Sequence, residues 1–356
     1  MMTATTIRRR MPAEWEAHAA TWIAWPHHEP DWPGKIEPIG WVYAEIVRIL
    51  SSHERVEILC HDGVVRDRAI GALTAHGVDT RRYHTHLVRT DRVWLRDSAP
   101  TGVVNADGGV ELVNWRFNAW AKYDNYERDA RVGSAIESIT GLARVVPRHR
   151  GIVPVLEGGA IECNGAGALL VTEECLLSTV QQRNPELDRA GYEAVFAEYL
   201  GVDRTIWLGE GCVGDDTHGH IDDIARFVAP NTIVLAFEED PADENHRRSV
   251  DNLRRLELAG SPALQVVKLP YPRAVLMNGE RLPASYANFY IANGVVIVPT
   301  FNDRNDRIAL NTLAERFPDR EVVGIHAVDL VWGLGTLHCL TQQQPAGLAL
   351  APHGAK

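Results

Sequence analysis

A chain of 356 residues, 45% apolar and 23% charged, can build one large core or two modest ones and has the composition of an ordinary globular protein. Its formal charge of −11 argues against a nucleic-acid binder, whose affinity comes from basic residues facing phosphates, and suits a cationic ligand better. No apolar run reaches the length of a membrane span, and Arg8-Arg9-Arg10 is not followed by the apolar core of a signal peptide.

From the N-terminus, Ala20 to Trp25 is an apolar run ended by Pro26. Val42, Ile46, Ile49 and Leu50 follow helical spacing, and Arg55 to Cys60 reads as the next strand. Asn164-Gly165-Ala166-Gly167 predicts a turn before Leu169-Leu170-Val171. Val195, Phe196, Tyr199 and Leu200 predict a helix closed by Gly201. Pro230-Asn231 separates strands over 224–228 and 233–237, and helices are expected near 243–258 and after Asp306, the latter stopped by Phe317-Pro318. Asn293-Gly294, between Phe289-Tyr290-Ile291 and Val295–Val298, is a type I′ hairpin signature. This rhythm of hairpin, helix and strand, without a linker, predicts a pseudo-symmetric α/β array in a single domain over 1–356, with flexible tails at 1–10 and 346–356. A doubly wound sheet is the competing architecture.

The five cysteines, Cys60, Cys163, Cys175, Cys212 and Cys339, are odd in number and form no CxxC pair, which suits free thiols in a reducing compartment, the cytoplasm by default. Three segments set chemically capable side chains inside expected strands: 91–100, 214–223 and 333–343. On a strand, His220 and Asp222 would share a face, and a histidine beside a carboxylate is suited to acid–base work. A solvated acidic turn with one satisfied core histidine is the plainer alternative. His218 and His220 also form an HxH pair that could ligate zinc with Asp222 or Asp223, although no second cluster of ligand spacing accompanies it.

Cys339 follows Gly333 and Gly335 and precedes polar Thr341-Gln342-Gln343, so it is the candidate nucleophile. Taken alone it reads equally as a buried packing thiol, as the other four do. Asp97 follows Val93-Trp94-Leu95 and is expected to be buried, which demands a positive partner. Arg96 could serve. So could a guanidinium ligand, planar, permanently cationic and matched to carboxylates, held from two sides by Asp97 and Asp222.

With these residues in view, the chain resembles the agmatine deiminase family, related to bacterial peptidylarginine deiminase. The resemblance runs through 11–16, 21–26, Trp94-Leu95-Arg96-Asp97, Phe117-Asn118-Ala119-Trp120, Leu156-Glu157-Gly158-Gly159, Arg183-Asn184-Pro185, Gly219-His220-Ile221-Asp222 and 337–343. It implies a five-bladed α/β propeller, the pentein fold of ββαβ units. It implies Cys339 as nucleophile, His220 as general acid–base, Asp97 and Asp222 as guanidinium clamp, Asp216 near the distal amine, and Trp94, Trp120 and Glu157 lining or bracing the pocket. The partner it implies is a small guanidinium compound, with no metal or organic cofactor, no nucleic acid and no membrane, and a homo-oligomer is compatible with it. Two departures from the family pattern are His218, where many relatives carry asparagine, and Ala99, where many carry glycine. Deimination of peptidyl-arginine or of another guanidino compound, and amidino transfer, are the alternative activities.

Overall fold

Each hairpin that the sequence announces is followed by a helix and then by a strand parallel to the hairpin's second arm. Residues 9–260 and 264–347 are described in the computed structural model. Thr101–Asn105 and Val110–Val113 pair antiparallel, and Ala143–Val145 joins in parallel across the helix Val132–Thr140. The same plan recurs in Glu162–Cys163, Ala168–Thr172 and Arg204–Leu208 around the helix Arg189–Leu200. It recurs again in Ala225–Ala229, Thr232–Phe237 and Gln265–Pro270 around Glu244–Glu257. A further copy is Tyr290–Ala292, Val295–Thr300 and Glu321–His326 around Asp306–Arg316.

The remaining large sheet joins the two ends of the chain. Gln342–Pro345 pairs antiparallel with His18–Ala24, which continues in parallel to Val56–Cys60 and Tyr83–Leu87 through the helices Ile36–Leu50 and Gly63–Ala75. A short ribbon, Leu276–Met277 with Glu280–Arg281, stands apart. Among the described residues no sheet exceeds four strands, so the doubly wound alternative is excluded. Central strands are apolar throughout because both faces are covered: Val295, Val296, Ile297 and Val298 are all buried.

Local signals set the helix ends. Asp243 caps Glu244–Glu257 by accepting from Asn245 N at 2.9 Å, and Gly201 stops Arg189–Leu200 at φ +70°. One turn differs from expectation. The hairpin at Asn293-Gly294 forms, but only Gly294 is left-handed, so it is not type I′. Asn293 is held instead by tertiary bonds, exchanging hydrogen bonds with the backbone of His18 at 3.0 and 2.9 Å. The expected N-terminal tail is also shorter than predicted: Arg9–Arg10 is a strand on Thr101–Asn105. At the other end Ala346 N bonds Ala17 O at 2.9 Å. Residues 1–8 and 348–356 of the expected tails lie outside the described residues.

Candidate active site

The candidate residues of the three chemically rich segments do not lie on strands. Asp97 sits on the helical turn Leu95–Ser98, Asp222 on Ile221–Asp223 with His220 just before it, and Cys339 on Leu337–Leu340. Short turns let neighbouring side chains converge, where a strand would send alternate ones to opposite faces. Their close approach depends on glycine at two places. A Cβ on Gly159 would lie 2.4 Å from His220 Nδ1 and 2.9 Å from Asp97 Oδ1. A Cβ on Gly335 would lie 2.7 Å from the Trp94 ring.

Asp97 is buried, accepting from Gly159 N at 2.9 Å and from Trp120 Nε1 at 2.9 Å. Arg96 is not its partner. That guanidinium turns to Gln343 Oε1 at 2.7 Å, Glu14 Oε2 at 3.2 Å and His338 O at 3.3 Å. Among the described residues the cation paired with Asp97 is His220, whose Nδ1 is 3.9 Å from Asp97 Oδ1 and 4.0 Å from Asp222 Oδ1, with Nε2 3.8 Å from Glu157 Oε2. These are ion-pair distances. Among the described residues, neither His220 nitrogen, nor Asp222 Oδ1, nor Glu157 Oε2 has a hydrogen-bond partner. Cys339 Sγ accepts from Asn288 Nδ2 at 3.1 Å and points at Asp222 Oδ2, 3.7 Å away.

The electrostatics follow from this enclosure. Burial, reinforced by Asp222 and Glu157, pushes the Asp97 carboxyl up to about 6. Burial together with Asp222, Asp223 and Asp97 pushes the Cys339 thiol well up, so it is protonated in the free protein. Burial alone would lower His220, but Asp97, Cys175 and Glu157 outweigh it and hold the ring well above the usual histidine range. Burial would likewise raise Glu157, yet Arg183 and His220 bring it to about 2. Arg183 Nε donates to Glu157 Oε1 at 3.0 Å.

Three participants were not legible as such in the sequence. His338 bonds Asp222 Oδ2 through Nδ1 and Glu14 Oε2 through Nε2, both at 2.7 Å, so it fixes the clamp carboxylate. Asn288 joins Cys339 to Asp223 Oδ1 (3.0 Å), and Glu14 anchors His338 from the N-terminal segment. The available signal was a polar residue directly before an apolar run, as at Asn288 before Phe289-Tyr290-Ile291. Cys175, read as inert packing, lies beside His220 and Glu157. Cys60 and Cys163 fit that reading, pushed by burial up to about 12.

A cavity of about 260 Å³ reaches Cys339 and Asp97 between Trp94 and Trp120. Asp216 and Tyr123 stand further out on its wall, with Asp216 held by Lys122 Nζ and by the Tyr123 hydroxyl at 2.8 Å. His218 is not in the wall. Left-handed at φ +66°, it turns to Ser178 Oγ at 3.1 Å, so the HxH pair does not converge on one point. The groups of three metal-capable side chains among the described residues are Glu157, Cys175, His220 and Asp222, Asp223, Cys339, both drawn from the cluster around His220 and Cys339. Ala99, at φ −83°, occupies a position that does not demand glycine.

The model of the Porphyromonas-type peptidyl-arginine deiminase family matches residues 10–345. The chain belongs to this family. It is 35% identical to the agmatine deiminase of Ectopseudomonas mendocina, with all of both chains covered, and 35% identical to that of Pseudomonas fluorescens over 94% of this chain and 95% of the relative. An agmatine deiminase of C. jejuni with substrate bound superposes with TM-score 0.87 at 28% identity, covering 98% of this chain and 99% of that one. That of Enterococcus faecalis gives 0.86 at 29%, covering 97% and 98%.

Proposed function

We propose that the protein hydrolyses agmatine to N-carbamoylputrescine and ammonia. The observation that carries this reading is a pair of buried carboxylates, Asp97 and Asp222, beside a thiol and a histidine, with Arg96 turned away and Asp222 Oδ1 without a partner. Among the described residues no arginine or lysine pairs with either carboxylate, and a guanidinium supplies a permanent cation with hydrogen-bond donors on two edges. Its arrival offsets the negative field that keeps Cys339 protonated, so the thiol releases its proton to water once substrate is seated. The thiolate attacks the central carbon. His220 gives its proton to the departing nitrogen, the C–N bond breaks, ammonia leaves and an amidino-thioether remains. Neutral His220 then takes one proton from water as the oxygen attacks, the C–S bond breaks, and the remaining hydroxyl proton passes to the Cys339 thiolate as the ureido product leaves.

The other elements of the reading belong together. The five large sheets would be the blades of a five-bladed propeller forming a single domain, supported by their shared ββαβ order and by the pairing of the chain's two ends. Trp94, Trp120 and Asp216 would line the substrate and Glu157 brace His220. No helix among the described residues is long and apolar enough to cross a membrane. Ammonia release from agmatine, arginine, guanidinobutyrate and an arginine peptide tests the substrate. Agmatine should give the highest kcat/KM, and a preference for the peptide would replace the reading with peptidyl-arginine deimination.

A further inference from the structure

We propose that Gln181 is a positioning residue for the reaction, its side-chain amide holding Trp120 so that the indole N–H stays on Asp97. This deepens the deiminase reading and rests on it. Gln181 lies between the helical turn Glu173–Leu177 and the helix Arg189–Leu200, and it is not among the residues that line the cavity. Its Nε2 donates to Trp120 O at 3.1 Å and to Asp216 O at 3.1 Å. Both amide hydrogens are thereby used, on carbonyls from two walls of the cavity.

Trp120 needs that grip. It is the middle of three consecutive residues at positive φ, 49°, 59° and 52°, a costly conformation that persists only where neighbours hold it. Within the turn, Asn118 Oδ1 accepts from Ala121 N at 3.0 Å, and Lys122 N and Tyr123 N donate to Ala119 O at 3.0 and 3.3 Å. Those bonds close the turn on either side of Trp120 and leave its own carbonyl to Gln181. Trp120 is thus fixed at two ends, its carbonyl by Gln181 and its indole Nε1 on Asp97 Oδ2 at 2.9 Å. Lys122 and the Tyr123 hydroxyl also reach the Asp216 carboxylate, but they hold side chains beyond the turn. Gln181 is itself held in place. Its backbone is left-handed at φ +45°, uncommon for such a residue, and its carbonyl accepts from Arg183 Nη1 at 2.8 Å. Arg183 is buried and committed through Nε to Glu157 Oε1.

Gln181→Met keeps the length and neutrality of the side chain and removes the donor. The charged or titratable groups facing Asp97 are His220, Asp222, Asp223, Glu157 and the Cys339 thiol. Among the described residues, Gln181 reaches them otherwise through Arg183 and Glu157, by a backbone carbonyl that the substitution leaves in place. The test is the pH dependence of kcat/KM for agmatine in wild type, Gln181→Met, Trp120→Phe and the double variant. The indole bond favours the ionised Asp97 carboxyl, so its loss in Gln181→Met should move the acid limb up by about half a pH unit to one unit. The double variant should move no further than Trp120→Phe alone. An unmoved limb in Gln181→Met, or shifts that add in the double variant, overturns the proposal, and a merely structural role lowers activity equally at pH 6 and pH 8. Gln181→Gly, which relieves the left-handed backbone and also lacks the amide, carries the same test where the methionine variant folds poorly. Denaturant titration reads Asp97 without turnover. The fall in stability as pH rises through the folded Asp97 value should extend to higher pH in Gln181→Met, and that difference should vanish in an Asp97→Asn background. A wild-type protein that releases no ammonia from agmatine sinks the deiminase reading, and the denaturant titration still decides the role of Gln181.

Discussion

Two residues carry opposite consequences for stability and chemistry. Cys339→Ser removes the proposed nucleophile but little volume, so kcat should fall on the order of a thousandfold or more while agmatine still binds. Single-turnover ammonia release with calorimetric titration checks both halves. Substantial turnover by that variant ends the covalent mechanism. Asp97 is the reverse case. Its carboxyl is raised from 3.8 to about 6, so between those values the folded protein holds a proton that the unfolded chain has lost. Stability therefore falls as pH rises through that window, by roughly 3 kcal/mol in full, and the deficit persists at neutral pH. Asp97→Asn should be inactive yet more stable than wild type by about 1–3 kcal/mol at pH 7, with the gap closing toward pH 4. Denaturant titrations at the two pH values decide it, and a variant less stable at pH 7 would show that the lost bonds outweigh the relieved charge.

At the scale of elements, what the sequence made legible was what repeats or turns sharply. Apolar runs bounded by Asn164-Gly165, Pro230-Asn231 and Asn293-Gly294 became hairpins, and Val195, Phe196, Tyr199 and Leu200 marked one helix face, because those signals are local. The catalytic segments were misread as strands for a related reason. A turn of three or four residues is too short to show a period, so Ile221–Asp223 and Leu337–Leu340 borrowed the character of their apolar neighbours. The candidates Cys339, His220, Asp97 and Asp222 were chosen from chemistry and resemblance, and the structure brings them together. Which way Arg96 or His338 turns was not legible, since only tertiary packing decides it. The same limit hid the segment 119–121, where Ala119, Trp120 and Ala121 all adopt positive φ. Such a run is costly for non-glycine residues and persists because it aims the Trp120 indole N–H at Asp97. That hydrogen bond favours the ionised carboxyl, so Trp120→Phe should raise Asp97 above 6. The acid limb of kcat/KM, expected near pH 6 in wild type, should then move to higher pH. A pH–rate profile for agmatine reads the shift, and an unmoved limb would mean that another group sets it.

Across the whole molecule, one buried carboxylate ties distant parts of the chain to the catalytic centre. Glu14 accepts from Arg226 Nη2 at 2.8 Å, Arg96 Nη2 at 3.2 Å and Ile291 N at 2.8 Å, and it bonds His338 Nε2 at 2.7 Å. Through His338 it reaches Asp222, so the N-terminal segment, the middle of the chain and the Cys339 turn share one network. Burial would raise the Glu14 carboxyl, but Arg226, His338 and Arg96 together hold it well below its usual 4.5. With the folded value below the unfolded one, Glu14 contributes stability that is fully present above 4.5 and is lost as pH falls through the folded value. Glu14→Gln keeps the size but leaves Arg226, Arg96 and His338 short of one charge. Breaking a buried pair in this way should cost about 3–5 kcal/mol at pH 7, with the deficit shrinking as acid protonates the wild-type carboxyl. Because His338 then loses its anchor, Asp222 loses its fixed orientation, and kcat should fall although Glu14 touches no substrate. Urea titration at pH 7 and pH 4 with kcat on the refolded fraction separates the two effects. Full activity in a destabilised Glu14→Gln would mean that Asp222 is positioned without His338.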